Sequence, residues 1–181
     1  MAVIGWGKPR IFIKDLDATS PAWEELPTPV EDSTQLTTTK GDKKEAKIEG
    51  GENEDVKYGK NTYALTLNIR AAKGRKRPIS DSDGVVAHNY AVALQPEDPD
   101  VQGFCMEKTT ASVEDSFTTA DGGIWVYTFD ALKPGSDKKQ IQWGKIITTP
   151  TSGKPTKIEC DPEDESGDGD KFEVAPNSPA G

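Results

Sequence analysis

The stretch that most restricts the fold is Lys43–Ala72, and within it the alternation between Thr62 and Arg70. Tyr63, Leu65, Leu67 and Ile69 fall on one side of an extended chain, and Thr62, Thr66, Asn68 and Arg70 on the other. That is the period of two that a half-buried strand requires. Ala64 is the one small apolar residue on the polar side. Upstream, Lys43, Glu45, Lys47 and Glu49 alternate in charge on one face, with Ala46 and Ile48 on the opposite one. The expected structure is one long hairpin whose arms are joined by an acidic loop carrying Glu49, Gly50, Gly51, Glu52, Glu54 and Asp55. A hairpin alone is marginal in water, so it must pair or pack with something else.

The rest of the chain points to strands as well. Arg10–Lys14 is a short apolar run flanked by charge, a first strand. Pro21, Pro27 and Pro29 forbid a long helix in the segment that follows, where Trp23 and Leu26 are expected to pin a loop to the core. Ser33–Thr39 is threonine-rich and β-prone. Ser80 with Asp83 three places on resembles a helix start and predicts one short helix over Ile79–Ala87, weakened by Gly84. Asn89–Gln95 reads as a strand stopped by Pro96. Glu107–Thr118 and Gly123–Phe129 flank an Asp121-Gly122 turn signal. They place Trp125, Tyr127 and Phe129 on a core-facing stripe, with Val113 and Phe117 opposite. Lys139–Thr148 returns as a strand carrying Ile141 and Trp143, both read as core residues. The expectation is a mainly β protein, an antiparallel β-sandwich or barrel with one short helix and a protruding hairpin. Residues 1–149 form this domain. Residues 150–181 read as an acidic extension in which little can be buried, with Thr156–Cys160 and Lys171–Val174 as weak strands.

Composition excludes more than it assigns. The 181 residues carry 22 basic and 31 acidic side chains, a formal charge of -9, which disfavours non-specific attraction to nucleic acid or an anionic membrane. Nothing approaches the roughly 20 apolar residues of a membrane-spanning helix, and no secretory leader is evident, so a cytoplasmic product is expected. Cys105 and Cys160 signal neither a disulfide framework nor a zinc site and read as buried or incidental thiols. The single histidine, His88, cannot supply a histidine metal cluster, and no carboxylate pair stands out for glycoside hydrolysis. The cluster Lys73–Arg77 has no adjoining aromatic residues for base stacking and reads as a solvated loop or a contact between subunits. Asp164, Ser166, Asp168 and Gly169 match the start of a calcium loop, but Ala175 stands where the bidentate glutamate belongs. No catalytic residue, metal or cofactor is expected.

A small acidic β protein without site chemistry is most often a binding or structural module, and the hairpin favours assembly. Repetition around a ring lets each hairpin complete its neighbour's sheet. Lys43, Glu45, Lys47, Glu49, Gly50, Gly51, Glu52, Glu54 and Asp55 are the candidate assembly residues. Thr62, Thr66 and Asn68 form an uncharged polar face suited to a wet lumen.

The segments EAKIEGGENEDVKYGKNTYALTLNIRAAKGRKRPI, YAVALQPEDPDVQGF, KTTASVEDSFTTADGGIWVYTFDALKP and QIQWGKI resemble tail tube proteins encoded by phages and prophages of Bacteroides-type bacteria. The resemblance covers most of residues 1–148. It implies a β-sandwich or barrel subunit that assembles with itself into stacked six-fold rings. The hairpin would contribute to an inner barrel, other tail proteins would be partners, and DNA would pass through the lumen without specific binding. It also implies residence in the bacterial cytoplasm during assembly and then in the virion tail. A carbohydrate- or protein-binding β-module presenting an exposed tryptophan is the alternative.

Overall fold

The computed structural model describes residues 7–135, 138–151, 154–161 and 172–173. Among these residues twelve strands occur in order: β1 Arg10–Asp15, β2 Trp23–Glu25, β3 Gln35–Thr39, β4 Lys43–Lys47, β5 Asn53–Tyr58, β6 Thr62–Arg70, β7 Val85–Gln95, β8 Gly103–Thr118, β9 Gly122–Ala131, β10 Gln142–Thr151, β11 Lys154–Asp161 and β12 Phe172–Glu173. All pairings are antiparallel. The protein is mainly β, in a sandwich-like arrangement of one branched ten-stranded sheet and a separate two-stranded one, β4–β5.

The branch lies on β8. Along one edge β8 pairs with β7; along the other its first residues pair with β10 and its later ones, from Thr109, with β9. From β9 the ladder continues to β6 and ends at β3. This long strand is therefore shared by two cores. One gathers Ile11, Ile13, Leu65, Leu67, Ile69, Val92, Met106, Tyr127 and Phe129. The other, on the opposite faces of β1, β7 and β8, gathers Phe12, Trp23, Ala91, Ala93, Cys105, Ile146, Ile158 and Cys160. The unbroken apolar run Ile11-Phe12-Ile13 follows from this, because a strand covered on both faces has no polar side to alternate with. Each large side chain so enclosed contributes about 1.5–3 kcal/mol.

Several expectations hold. Tyr63 packs against the first core with the buried Leu65, Leu67 and Ile69, Trp23 and Leu26 are buried, and the β8–β9 hairpin turns at the Asp121-Gly122 signal. Others are corrected. Lys43–Lys47 does not pair with Thr62–Arg70; it pairs with Asn53–Tyr58, while Thr62–Arg70 lies between β3 and β9. The long acidic loop shrinks to a turn, since Asn53, Glu54 and Asp55 already belong to β5.

No helix occurs among the described residues. Over 80–84 the backbone turns: Asp83 and Gly84 have φ of 50° and 83°, Asp81 Oδ2 accepts from the Gly84 N–H at 2.9 Å, and Ser82 and Val85 exchange backbone hydrogen bonds. The serine and aspartates thus build a tight entry into β7 instead of capping a helix. Phe117 and Trp143 are not core residues, being 75% and 51% exposed. Phe117 shares the face of Val113 but lies beyond the edge of the core, at the free end of the hairpin. The composition step at Pro150 falls inside β10, and the next strand buries Ile158 and Cys160 completely, so residues up to 161 join the same sheet. The calcium-like stretch at Asp164–Gly169 lies outside the described residues.

Candidate assembly surface

The hairpin β4–β5 owes its turn to two glycines. Gly50 and Gly51 adopt φ of 101° and 84°, a region in which any other L-residue is strained, and the Ile48 and Gly51 N–H groups donate to the carbonyls of Glu52 and Ile48. At the other end, Gly59 N–H donates to Asp42 O at 2.8 Å and Gly41 N–H to Asn61 Oδ1 at 3.2 Å. A Cβ on Gly41 would lie 2.3 Å from the Gly59 carbonyl carbon. The two legs therefore leave the β3–β6 ladder pressed together at the paired residues Thr39 and Thr62. Beyond that neck every residue of both arms is exposed.

The charges of the hairpin divide into two zones. On the arms, Glu45 is flanked by the ammonium groups of Lys43 and Lys47, the Lys40 ammonium stands 4.4 Å from the Tyr58 ring centre, and Lys44 and Lys57 are register partners, so base predominates toward the neck. At the tip, Ile48–Val56 holds Glu49, Glu52, Glu54 and Asp55 and no base. None of these four enters an ion pair among the described residues. Ile48 and Val56 are exposed among them, and Tyr58 is exposed at the neck end of β5. The tip thus combines uncompensated negative charge with solvated apolar surface.

Thr62, Thr66 and Asn68 lie on the face of β6 opposite Leu65 and Leu67. Thr62 is exposed and the other two are half-buried. Strand register extends this face to residues that the sequence reading missed: Gln35, Thr37 and Thr39 on β3, Thr128 on β9, and Thr110 and Ser112 on β8. Thr66 and Thr128 hydroxyls meet at 3.5 Å. The result is a four-stranded surface dominated by hydroxyls, with Glu114 and Asp130 its acids and Arg70 at one end. The threonine-rich runs in β3 and β8 were the available signal.

The other candidates serve structure. His88 Nδ1 is 2.7 Å from Asp15 Oδ2, and that hydrogen bond holds the imidazole above its ordinary pKa, tying β7 to β1. Cys105 and Cys160 are buried thiols not joined in a disulfide. Burial pushes the Cys105 thiol well up, and the adjoining Cys160 adds to this; such thiols are poor nucleophiles. Arg77 is drawn out of the basic cluster to bond Asp81 and Asp115 while covering Trp125 at 5.4 Å. Burial opposes its charge, but these two carboxylates leave its pKa raised. A cleft between the start of β1 and the segment before β3 has Glu31, Asp32 and Glu97 at its wall. All three are exposed, unlike the desolvated carboxyl that serves as a general acid. Among the described residues no group of three or more His, Cys, Asp or Glu side chains is arranged to hold a metal ion. Compared with known proteins, the chain matches no family model and no curated protein.

Proposed function

We propose that this protein is a self-assembling structural subunit, of the kind that stacks as rings into the tube of a phage tail. The observation that carries the reading is the hairpin Lys43–Tyr58. It is a two-stranded sheet with no core of its own, held out from a well-packed sandwich and tipped with unpaired charge and exposed apolar groups. Since an isolated two-stranded sheet is marginal in water, its retention is best explained by a partner surface. The hydroxyl-rich face of β3, β6, β9 and β8, with Thr62, Thr66 and Asn68, suits the wall of a water-filled lumen. A chain of net charge -9 repels rather than retains a polyanion passing through it. Other tail proteins would cap or nucleate such a tube.

The test is electron microscopy and sedimentation of the full chain, compared with a variant in which residues 40–61 are replaced by Asn-Gly. Because Thr39 and Thr62 are directly paired, a two-residue turn can close the shortened ladder. The full chain should form rings or tubes and the shortened one should remain a folded single copy. Equal assembly by both would remove the hairpin from the account.

A second reading rests on Trp143, whose half-exposed ring meets Phe104 at 5.1 Å between centres. A module binding a sugar or a peptide through this aromatic pair would lose binding on Trp143→Ala while its oligomeric state stayed unchanged.

A further inference from the structure

The self-assembly reading leaves open what the acidic tip of the hairpin meets. The fold offers a matching surface at the far end of β6. Thr62 begins this strand beside the hairpin's neck, and Arg70 ends it about 26 Å away, at about 3.3 Å per residue. There the chain enters a loop as basic as the hairpin tip is acidic. From Ile69 to Ser80 it holds Arg70, Lys73, Arg75, Lys76 and Arg77 and no acid.

The bonding of this loop leaves most of its charge available. Arg77 is neutralised by Asp81 and Asp115. Arg70 and Arg75, by contrast, are held by backbone carbonyls: Arg70 Nη1 donates to Asp121 O, and Arg75 Nη1 to Arg70 O at 2.7 Å. A neutral carbonyl positions a guanidinium without cancelling its charge. The nearby Asp121 carboxylate faces Thr118, whose hydroxyl lies 3.3 Å from it. Lys73 and Lys76 are exposed beside these.

Apolar surface adjoins the loop as it adjoins the acidic tip. Ala71 N–H donates to Gly123 O, and Gly123 is the register partner of Phe117, which is 75% exposed. The hairpin tip and the basic loop therefore present opposite uncompensated charges, each beside solvated apolar side chains.

We infer that the acidic hairpin tip of one copy docks on the basic loop of the next copy, Glu52 and Glu54 facing Lys73 and Lys76, with Ile48 and Val56 beside Phe117. The inference rests on the self-assembly reading and specifies its contact. The hairpin is rooted at the opposite end of β6, and neither arm pairs with any other described strand, which sets the tip apart from the basic loop of its own chain. Each copy offers one donor and one acceptor at opposite ends. Such a contact is heterologous, and its repetition stacks copies along the direction of β6 instead of closing a dimer.

The test uses two full-length variants, Glu52→Lys/Glu54→Lys and Lys73→Glu/Lys76→Glu, with circular dichroism to verify the fold of these surface changes. In each variant alone, like charges meet at every junction, which is strongly unfavourable at an interface. In an equimolar mixture every junction between unlike variants is complementary. The expected result, by sedimentation velocity, is at least about tenfold weaker association of each variant alone and recovery in the mixture. A chain carrying all four substitutions should also recover. Wild-type association should weaken from about 0.05 M to about 0.5 M salt as screening shortens. Assembly of both variants as strong as wild type would overturn this contact and leave self-assembly standing. So would loss in both without recovery in the mixture. A wild-type chain that stays single at all concentrations and with tail-extract nucleation would overturn both readings.

Discussion

The hairpin β4–β5 and the central segments, β1 with the later part of β7 and the first part of β8, are built from the same antiparallel pairing, yet one is exposed throughout and the others are enclosed on both faces. The difference separates pairing from stability. A backbone hydrogen bond formed in water replaces one to water and contributes about 1 kcal/mol net, and loss of chain entropy offsets that. The central strands add large apolar areas removed from solvent on two sides. The enclosed strands therefore hold the fold, and the exposed hairpin is free to serve a partner.

That contrast can be broken most directly at its strongest point. Phe12→Ala should destabilise the protein by about 3–5 kcal/mol in urea unfolding, since Phe12 is 0% exposed in the second core. Tyr58→Ala on the hairpin should change stability by less than about 0.5 kcal/mol, as exposed substitutions do. Similar losses at both sites would erase the distinction. Ile158→Ala should cost about 2–5 kcal/mol. A neutral result there would detach β11 from the core and restore a structural boundary at Pro150.

Glycines sharpen the comparison at a smaller scale. Gly103 lies where β7 and β8 approach so closely that a Cβ would stand 2.0 Å from the Leu94 carbonyl oxygen. Gly103→Ala should therefore lower the thermal midpoint of the whole protein by several degrees, corresponding to about 1–3 kcal/mol. At Gly51 a Cβ would meet nothing within 4 Å, and only the positive φ resists it. Gly51→Ala should cost about 1 kcal/mol of local order, visible as faster amide exchange confined to residues 43–58, with the global midpoint unmoved.

The smallest effect concerns His88. Its pKa, raised by the hydrogen bond to Asp15, should exceed the ordinary value near 6.5 in an NMR titration and fall toward it in Asp15→Asn. A group raised on folding adds stability that is fully present below the unfolded pKa and fades as pH rises through the folded one. Because the ring is well exposed, this contribution should be slight. An unchanged pKa in Asp15→Asn would show that the contact is not populated in solution.

Much of the fold was legible because side-chain alternation is local. The buried Leu65, Leu67 and Ile69, the stripe Tyr127 and Phe129, and the turn at Asp121-Gly122 follow from neighbours in sequence. The proposed assembly surface was half legible. Its acidic tip and basic loop each stood out as charge runs, but their placement at opposite ends of β6 needed the pairing of that strand. Phe117 and Trp143 misled because alternation names a face without saying where the core stops along it. The Ser80–Asp83 signal misled because the same short polar side chains cap helices and close turns.

By itself the sequence determined which side of Thr62–Arg70 faces inward, since a period of two leaves a strand one apolar face and water selects which face is hidden. Only the tertiary structure decided that this strand lies between β3 and β9, not against Lys43–Lys47. Backbone hydrogen bonds are nearly indifferent to side-chain identity, so the choice of partner falls to the packing of residues distant in sequence. That choice frees Lys43–Tyr58 as a separate hairpin at one end of the molecule and sets the basic loop at the other.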